Sequence, residues 1–152
     1  MKQIFKNLKT GETTLDDVPR PSCADGYVAI QTSTSLVSTG TERMLLEFGK
    51  GNLLQKAYQQ PEKVKQVLEK FHTDGLIATL ATVNNKLDTR IPLGYCNVGR
   101  VLESRSTGFN IGDRVASNGH HAEIVTVARN LCARIPDEVD DESAAFTVIA
   151  AI

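Results

Sequence analysis

The sequence predicts a mainly β domain interrupted by one helical insert. Three observations lead there. Runs rich in Val, Ile and Thr occupy both ends of the chain, and these residues suit the pleated, half-buried surface of a strand. Gly94, Gly99, Gly108, Gly112 and Gly119 cut the later part into short runs, the pattern of a barrel or a sandwich. Between the two ends, apolar residues recur at helical rather than strand spacing.

Lys2–Asn7 and Thr13–Val18 are the first two expected strands, and Pro19 and Pro21 close the second. Between Gly26 and Val37, Val28, Ile30 and Thr32 alternate with other residues, which predicts a third strand ending before Gly40. Pro61 fits the first turn of a helix whose stripe is Val64, Val67, Leu68 and Phe71. Thr73 can cap a second helix carrying Leu76, Ile77, Leu80 and Val83, with Asn84-Asn85 and then Pro92 to stop it. The two stripes can pack as a helical hairpin, inside an insert covering about residues 50–90. Beyond Pro92 the runs Val98–Glu103, Arg114–Ser117 and Ala122–Val127 return to strand character. A last helix should begin near Asp140 or Asp141, because acidic side chains suit a helix N-terminus. It runs into the apolar stretch Phe146–Ile152, which needs a surface to bury against; the expectation is a fragment of a longer protein.

The 152 residues suit one domain, and their 41% hydrophobic content allows a core without metal or disulfide support. Lys plus Arg total 17 against 18 Asp plus Glu, so no charge footprint points to nucleic acid or to an anionic membrane. Aromatics make up 5% and Trp is absent, which argues against a base-stacking surface. Cys23, Cys96 and Cys132 are odd in number and none has C-x-x-C spacing, so neither a disulfide framework nor a zinc knuckle is expected. The N-terminus lacks the apolar run of a signal peptide, and no stretch reaches the ~20 apolar residues needed to cross a bilayer. A cytoplasmic location follows as the default.

The most specific stretch is Pro92-Leu-Gly-Tyr-Cys-Asn-Val-Gly-Arg-Val, followed by Gly112-Asp-Arg-Val115. It resembles the medium-chain dehydrogenase/reductase (alcohol dehydrogenase-like) pattern P-x-G-H-E-x-x-G-x-V, a spacer, then G-D-R-V. Ser38-Thr-Gly-Thr-Glu42 resembles the C-x-T-D segment upstream in that family. Ala122-Glu-Ile-Val-Thr-Val, Leu131–Pro136 and Ser143-Ala-Ala resemble its A-E-Y-x-x-V, I-P and E-A-A segments. These motifs stand in the family's order and cover nearly the whole chain apart from the insert. The resemblance implies a GroES-like (chaperonin-10-like) irregular β-barrel, the substrate-side domain. It also implies a Rossmann domain beyond residue 152 that holds NAD(P); no G-x-G-x-x-G occurs here. The Ser-Thr-Gly-Thr-Glu segment, the long insert and Leu-Gly-Tyr resemble a zinc-independent branch. That branch includes bacteriochlorophyllide dehydrogenase-like proteins and bi-domain oxidoreductases fused to a glucose-fructose oxidoreductase-like module. The fused type suggests a sugar or polysaccharide precursor as substrate.

The resemblance puts Thr39 where the first zinc-ligating Cys belongs, Tyr95 at the His and Cys96 at the Glu. Zinc prefers thiolate, imidazole and carboxylate, so Thr and Tyr are poor replacements and no zinc is expected. The structural-zinc lobe with its cysteines is replaced by Ala116-Ser-Asn-Gly-His-His-Ala. An unrelated site built from Cys96, His120 and His121 is the weaker reading: adjacent His side chains diverge in a strand, and His120-His121 reads as a surface turn. Cys96 reads as a small buried residue.

Hydride transfer belongs to the cofactor, and the protein supplies orientation and a group that polarises the substrate oxygen. The resemblance matches Thr41 to the hydroxyl that relays the alcohol proton. Tyr95, in place of a ligand, could hydrogen-bond a developing alkoxide within ~3 Å. These two are the catalytic candidates; Ser38, Thr39 and Glu42 are candidate substrate contacts. Each has a plainer reading: Thr41 as a turn residue, Tyr95 as a core aromatic, Glu42 as a cap or ion-pair partner. Arg100 and Arg114 read as structural partners of carboxylates. The insert reads either as a cover over the substrate cleft or as a homo-oligomer contact. Two functions stay open: the substrate-binding part of an oxidoreductase, inactive alone, or a non-catalytic binding or assembly module on the same scaffold.

Overall fold

The computed structural model describes residues 1–40, 42, 43, 62 and 88–150. The expected helical hairpin lies outside the described residues. The chain divides into two compact units, the first made of Met1–Phe5, Thr14–Thr39 and Pro92–Ile152, the second of Lys6–Thr13 and Gly40–Ile91.

Eight strands are described: β1 (Lys2–Asn7), β2 (Thr13–Asp17), β3 (Tyr27–Ser35), β4 (Arg90–Pro92), β5 (Asn97–Ser104), β6 (Arg114–Ser117), β7 (Ile124–Ala128) and β8 (Cys132–Arg134). A ten-residue helix, α1, spans Asp141–Ala150. The strands form a three-stranded sheet in the order β2-β1-β4 and a five-stranded sheet in the order β7-β3-β5-β6-β8. Every pairing of the larger sheet is antiparallel. The irregular barrel expected from the sequence does not close among the described residues, whose strands form two open sheets. The nearest approach to closure is the isolated Gln3–Ala122 bridge, flanked by Ile4 N–H to His121 O and Glu123 N–H to Lys2 O, each 3.0 Å. Short edges stop the ladders. The β8 strand has three residues with Pro136 just beyond, and β4 ends on Pro92, which has no N–H to donate.

In the first unit the strand pattern buries two apolar clusters. Val28, Ile30, Val101, Val115, Val125 and Val127 form one, with Phe109 and Cys132 packed at its margin. Cys96, Val98, Ala116 and Ile135 form the other, covered by Ala144, Ala145 and Val148 of α1. Strict alternation fails at the start of β3, where Val28, Ala29 and Ile30 are all fully buried beside a bulge at Ala29/Ile30. The unexpected β4 and β8 are three residues each, too short to display a period of two. No helix among the described residues is long and apolar enough to cross a membrane.

The helix α1 starts where the acidic pair predicts. Asp140 caps it, accepting from Ser143 N–H at 2.6 Å and Ser143 Oγ at 3.0 Å. Asp141 then anchors the helix on the sheet. Arg114 of β6 donates to its Oδ1 through Nη2 at 2.6 Å and Nε at 3.1 Å, and Ser33 of β3 donates to Oδ2 at 2.6 Å. The same guanidinium reaches Val139 O at 2.6 Å. The Ser33 hydroxyl, and then Arg114, hold the Asp141 carboxyl below its ordinary pKa. A neighbouring pair, Asp113–Arg134 at 2.8 Å, ties the β6 entry to β8. Arg114 thus takes the structural role expected of it, and Arg100 donates instead to Gly112 O at 3.1 Å.

Among the described residues of the second unit, polar contacts gather around Lys6 and Asn7. Buried Lys6 donates to Gly11 O, and Asn7 Oδ1 accepts from Lys9 and Thr10 N–H at 2.8 and 3.0 Å. Asn7 Nδ2 donates to Asp88 at 3.1 Å, which is the largest cause of that carboxyl's lowered pKa.

Two outcomes are expected. A carboxyl with a depressed folded pKa contributes stability above its unfolded value, near 3.9, and loses it as pH falls through the folded value. Urea unfolding of the wild type should therefore weaken below about pH 4, and D141N should lose about 1–3 kcal/mol at pH 7 and flatten that acid limb; an unchanged limb would refute the anchor. Gly99 and Gly112 should separate sharply. A Cβ on Gly99 would lie 2.0 Å from Gln31 O, whereas one on Gly112 (φ +90°) meets nothing within 4 Å. G99A should cost more than about 3 kcal/mol by thermal unfolding, and G112A only the left-handed strain of about 1–2 kcal/mol.

Candidate active site

The site expected from the sequence centres on the turn Leu93–Cys96, between β4 and β5. Gly94 has φ +91°, open to glycine and strained for other residues. Space adds a second reason, because a Cβ there would sit 2.7 Å from the ring and the backbone N of His121. Both histidines hold the turn. His121 N–H donates to Leu93 O at 2.8 Å, and His120 Nδ1 lies 2.7 Å from Gly94 O, so Nδ1 carries the proton. Leu93 N–H donates to Ile4 O at 3.0 Å, which fixes the turn to β1. Leu36 N–H donates to Cys96 O at 3.1 Å and brings the end of β3 alongside.

Beneath the turn lies a polar cluster inside the apolar sheet. Asn97 is fully buried; its Nδ2 donates to Thr32 Oγ1 at 2.7 Å, and its Oδ1 is 3.5 Å from Ser117 Oγ. Thr32 Oγ1 in turn donates to Ala122 O. His121 Nδ1 lies 2.9 Å from Ser35 Oγ. These bonds satisfy polar groups that would otherwise cost about 1–3 kcal/mol each when buried. A Cβ on Gly119 would lie 2.7 Å from Val125 Cγ2 and 3.0 Å from Asn97 Cβ, so this cluster also requires a glycine.

The structure distributes the expected site residues as follows. Tyr95 is half-buried and packs against the cluster that α1 covers. Ser38 is half-buried and Thr39 exposed, in the same unit as Tyr95. Glu42 belongs to the second unit and is only 6% exposed, with residues 39–40 and 42–43 helical. Thr41 lies outside the described residues. Cys96 is fully buried in the core, as expected of a small apolar residue. The two histidines divide: His120 is exposed, but His121 is 6% exposed and not the surface residue expected. His121 and Ser35 are the residues that sequence reasoning missed. No local signal separates the two histidines: His121 is buried because the backbones of Ile4 and Leu93 pair with its own.

Among the described residues no three His, Cys, Asp or Glu side chains converge as metal ligands. The three cysteines are free thiols, and burial pushes Cys132 up to about 12.

Solved oxidoreductases share this fold. The quinone oxidoreductase from Coxiella burnetii is 20% identical with a TM-score of 0.62, over 95% of this chain and 40% of that one. Galactitol-1-phosphate dehydrogenase from Escherichia coli is 14% identical with a TM-score of 0.62, over 96% and 41% of the two chains. The quinone oxidoreductase from Thermus thermophilus, solved also in complex with NADPH, is 19% identical with a TM-score of 0.56, over 95% and 36%. The likeness fixes the fold. This chain spans about two fifths of the length of these proteins. No protein-family model matches the sequence, and no curated relative matches it.

Thiol chemistry gives a direct check of the burial. At pH 8 the folded protein should label slowly with a thiol reagent at all three cysteines, and all three should label once denaturant is added. Cys132 labelling should rise about tenfold per pH unit towards its pKa of about 12. Rapid stoichiometric labelling of native protein at pH 8 would contradict this.

Proposed function

We propose that this chain is the substrate-side domain of a zinc-independent, NAD(P)-dependent oxidoreductase. The observation that carries the reading is the fold, shared over 95% of the chain with the Coxiella burnetii quinone oxidoreductase. The motif order in the sequence points the same way independently. In this reading a Rossmann domain outside these residues holds the nicotinamide cofactor, which supplies the hydride chemistry.

This chain's contribution is to bind and orient the substrate. Tyr95 sits on the Gly94 turn, held by both histidines, and its phenol is assigned the hydrogen bond to the substrate oxygen as negative charge develops there. Ser38 and Thr39 are assigned polar contacts to the substrate. Thr41 as hydroxyl relay and Glu42 as a substrate contact rest on the sequence resemblance alone. Zinc independence is supported by the residues at the liganding positions: Thr39 and Tyr95 are neutral oxygen groups, and Cys96 is turned into the core. The free thiols fit a reducing cytoplasm. A sugar or polysaccharide precursor is the proposed substrate class, on the resemblance to the fused branch.

The test uses the complete gene product and the 152-residue chain side by side. The complete protein should bind NAD(P)H and turn over, with no stoichiometric zinc by elemental analysis of protein purified without chelator. The short chain should show no turnover. Y95F should lower kcat by about 100-fold, the scale of a lost oxyanion donor, with a smaller change in KM. Stoichiometric zinc, turnover by the short chain, or an unchanged kcat in Y95F would each overturn the corresponding part.

A further inference from the structure

A cleft lies at the end of β3 away from the Gly94 turn, about 25 Å along the nine-residue strand. Its volume is about 650 Å³, within the range of small-molecule sites. We propose that this cleft binds a small organic oxyanion, a phosphate or a carboxylate, with Arg129 as its anchor.

The lining chemistry supports this. Arg129 and Arg134 both line the cleft, Asn130 adds an amide, and no carboxylate is among its described lining residues. Arg134 is paired with Asp113 at 2.8 Å, so it contributes a guanidinium already held in place. Arg129 differs from every other arginine of the described residues. Arg20, Arg105, Arg114 and Arg134 have carboxylate partners, Arg100 bonds to a carbonyl, and Arg43 and Arg90 also have partners. The Arg129 guanidinium alone has no hydrogen bond or ion pair among the described residues. Its backbone is fixed nonetheless: it opens the 3-10 turn Arg129–Leu131, and its N–H donates to Gly26 O at 3.0 Å. Gly108 (φ +95°) flanks the guanidinium, and a Cβ there would come within 3.7 Å of Nη2.

The rest of the cleft suits an organic body. Phe109 packs on the valine cluster and offers an apolar wall beside the charge. Cys132 lies beside it as a neutral thiol, since burial lifts its pKa to about 12, and so adds no negative charge. Guanidinium recognises planar and tetrahedral oxyanions through paired N–H donors. A bare anion would use the arginines and leave Phe109 idle, so the proposal requires an attached apolar group.

The experiment is a heteronuclear NMR titration of the full chain with phenyl phosphate, benzoate and inorganic phosphate, at fixed ionic strength. Phenyl phosphate or benzoate should bind saturably with a Kd of about 1 mM or tighter, with shifts at Gly26, Gly108 and Arg129. The tighter of the two identifies the headgroup, and comparable affinities mark a general oxyanion site. R129A should weaken binding at least tenfold, and R129K should fall between, keeping charge but losing the paired donors. R20A, elsewhere on the surface, should bind like wild type and controls for non-specific charge. No saturation, equal binding by R129A, or binding of inorganic phosphate alone would overturn the proposal.

Discussion

The Asp141 carboxylate is the constraint on which the first unit depends. It receives Arg114 from β6 and Ser33 from β3, and it is the first residue of α1. One group therefore joins a central strand, its second neighbour and the helix that covers the core. Without that anchor, Ala144, Ala145 and Val148 would have no fixed register over Cys96, Val98 and Ala116. Its energy exceeds that of a surface ion pair because both partners are mostly shielded, at 20% and 32% exposure, and because each oxygen has a dedicated donor.

The glycines act as a second constraint, and they explain the motif that stands out in the sequence. Gly94 must be glycine twice over, for its positive φ and for the His121 ring beneath it. Gly99 lies where β5 passes so near Gln31 of β3 that no side chain fits. Gly119 leaves room for the buried Asn97. Each permits a close approach, and together they let β1, the Gly94 turn and the entry to β7 meet around His121. The half-buried Tyr95 packs at that junction, on a backbone held by its neighbours.

Most strands were legible in the sequence because they are long enough to display composition. Arg114–Ser117 ends at the residues expected, and the ends of Tyr27–Ser35 and Asn97–Ser104 moved by only one or two. The β4 and β8 strands were not legible, since three residues carry no period and Pro92 reads as a stop. Barrel closure was likewise beyond reach. Local pattern marks strands, but whether the last edge finds the first depends on strand length and on where the prolines fall. At the candidate site, Cys96 as a buried thiol and Arg114 as a structural partner could be read from residue type and motif. The burial of His121 could not, because two adjacent histidines in a turn look alike until a neighbouring backbone covers one of them.

The sequence by itself determined the mainly β character, the helix start at the Asp140–Asp141 pair and the burial of a small residue at Cys96. These are properties of residue type and short-range spacing, which hold whatever surrounds them. The tertiary structure alone decided that the described strands form two open sheets. It also decided that His121 and Asn97 lie inside, and that one arginine of eight faces a cleft with no partner. Those outcomes depend on contacts between residues tens of positions apart, where burial and pairing are set by the approach of distant backbone segments and not by the local chain.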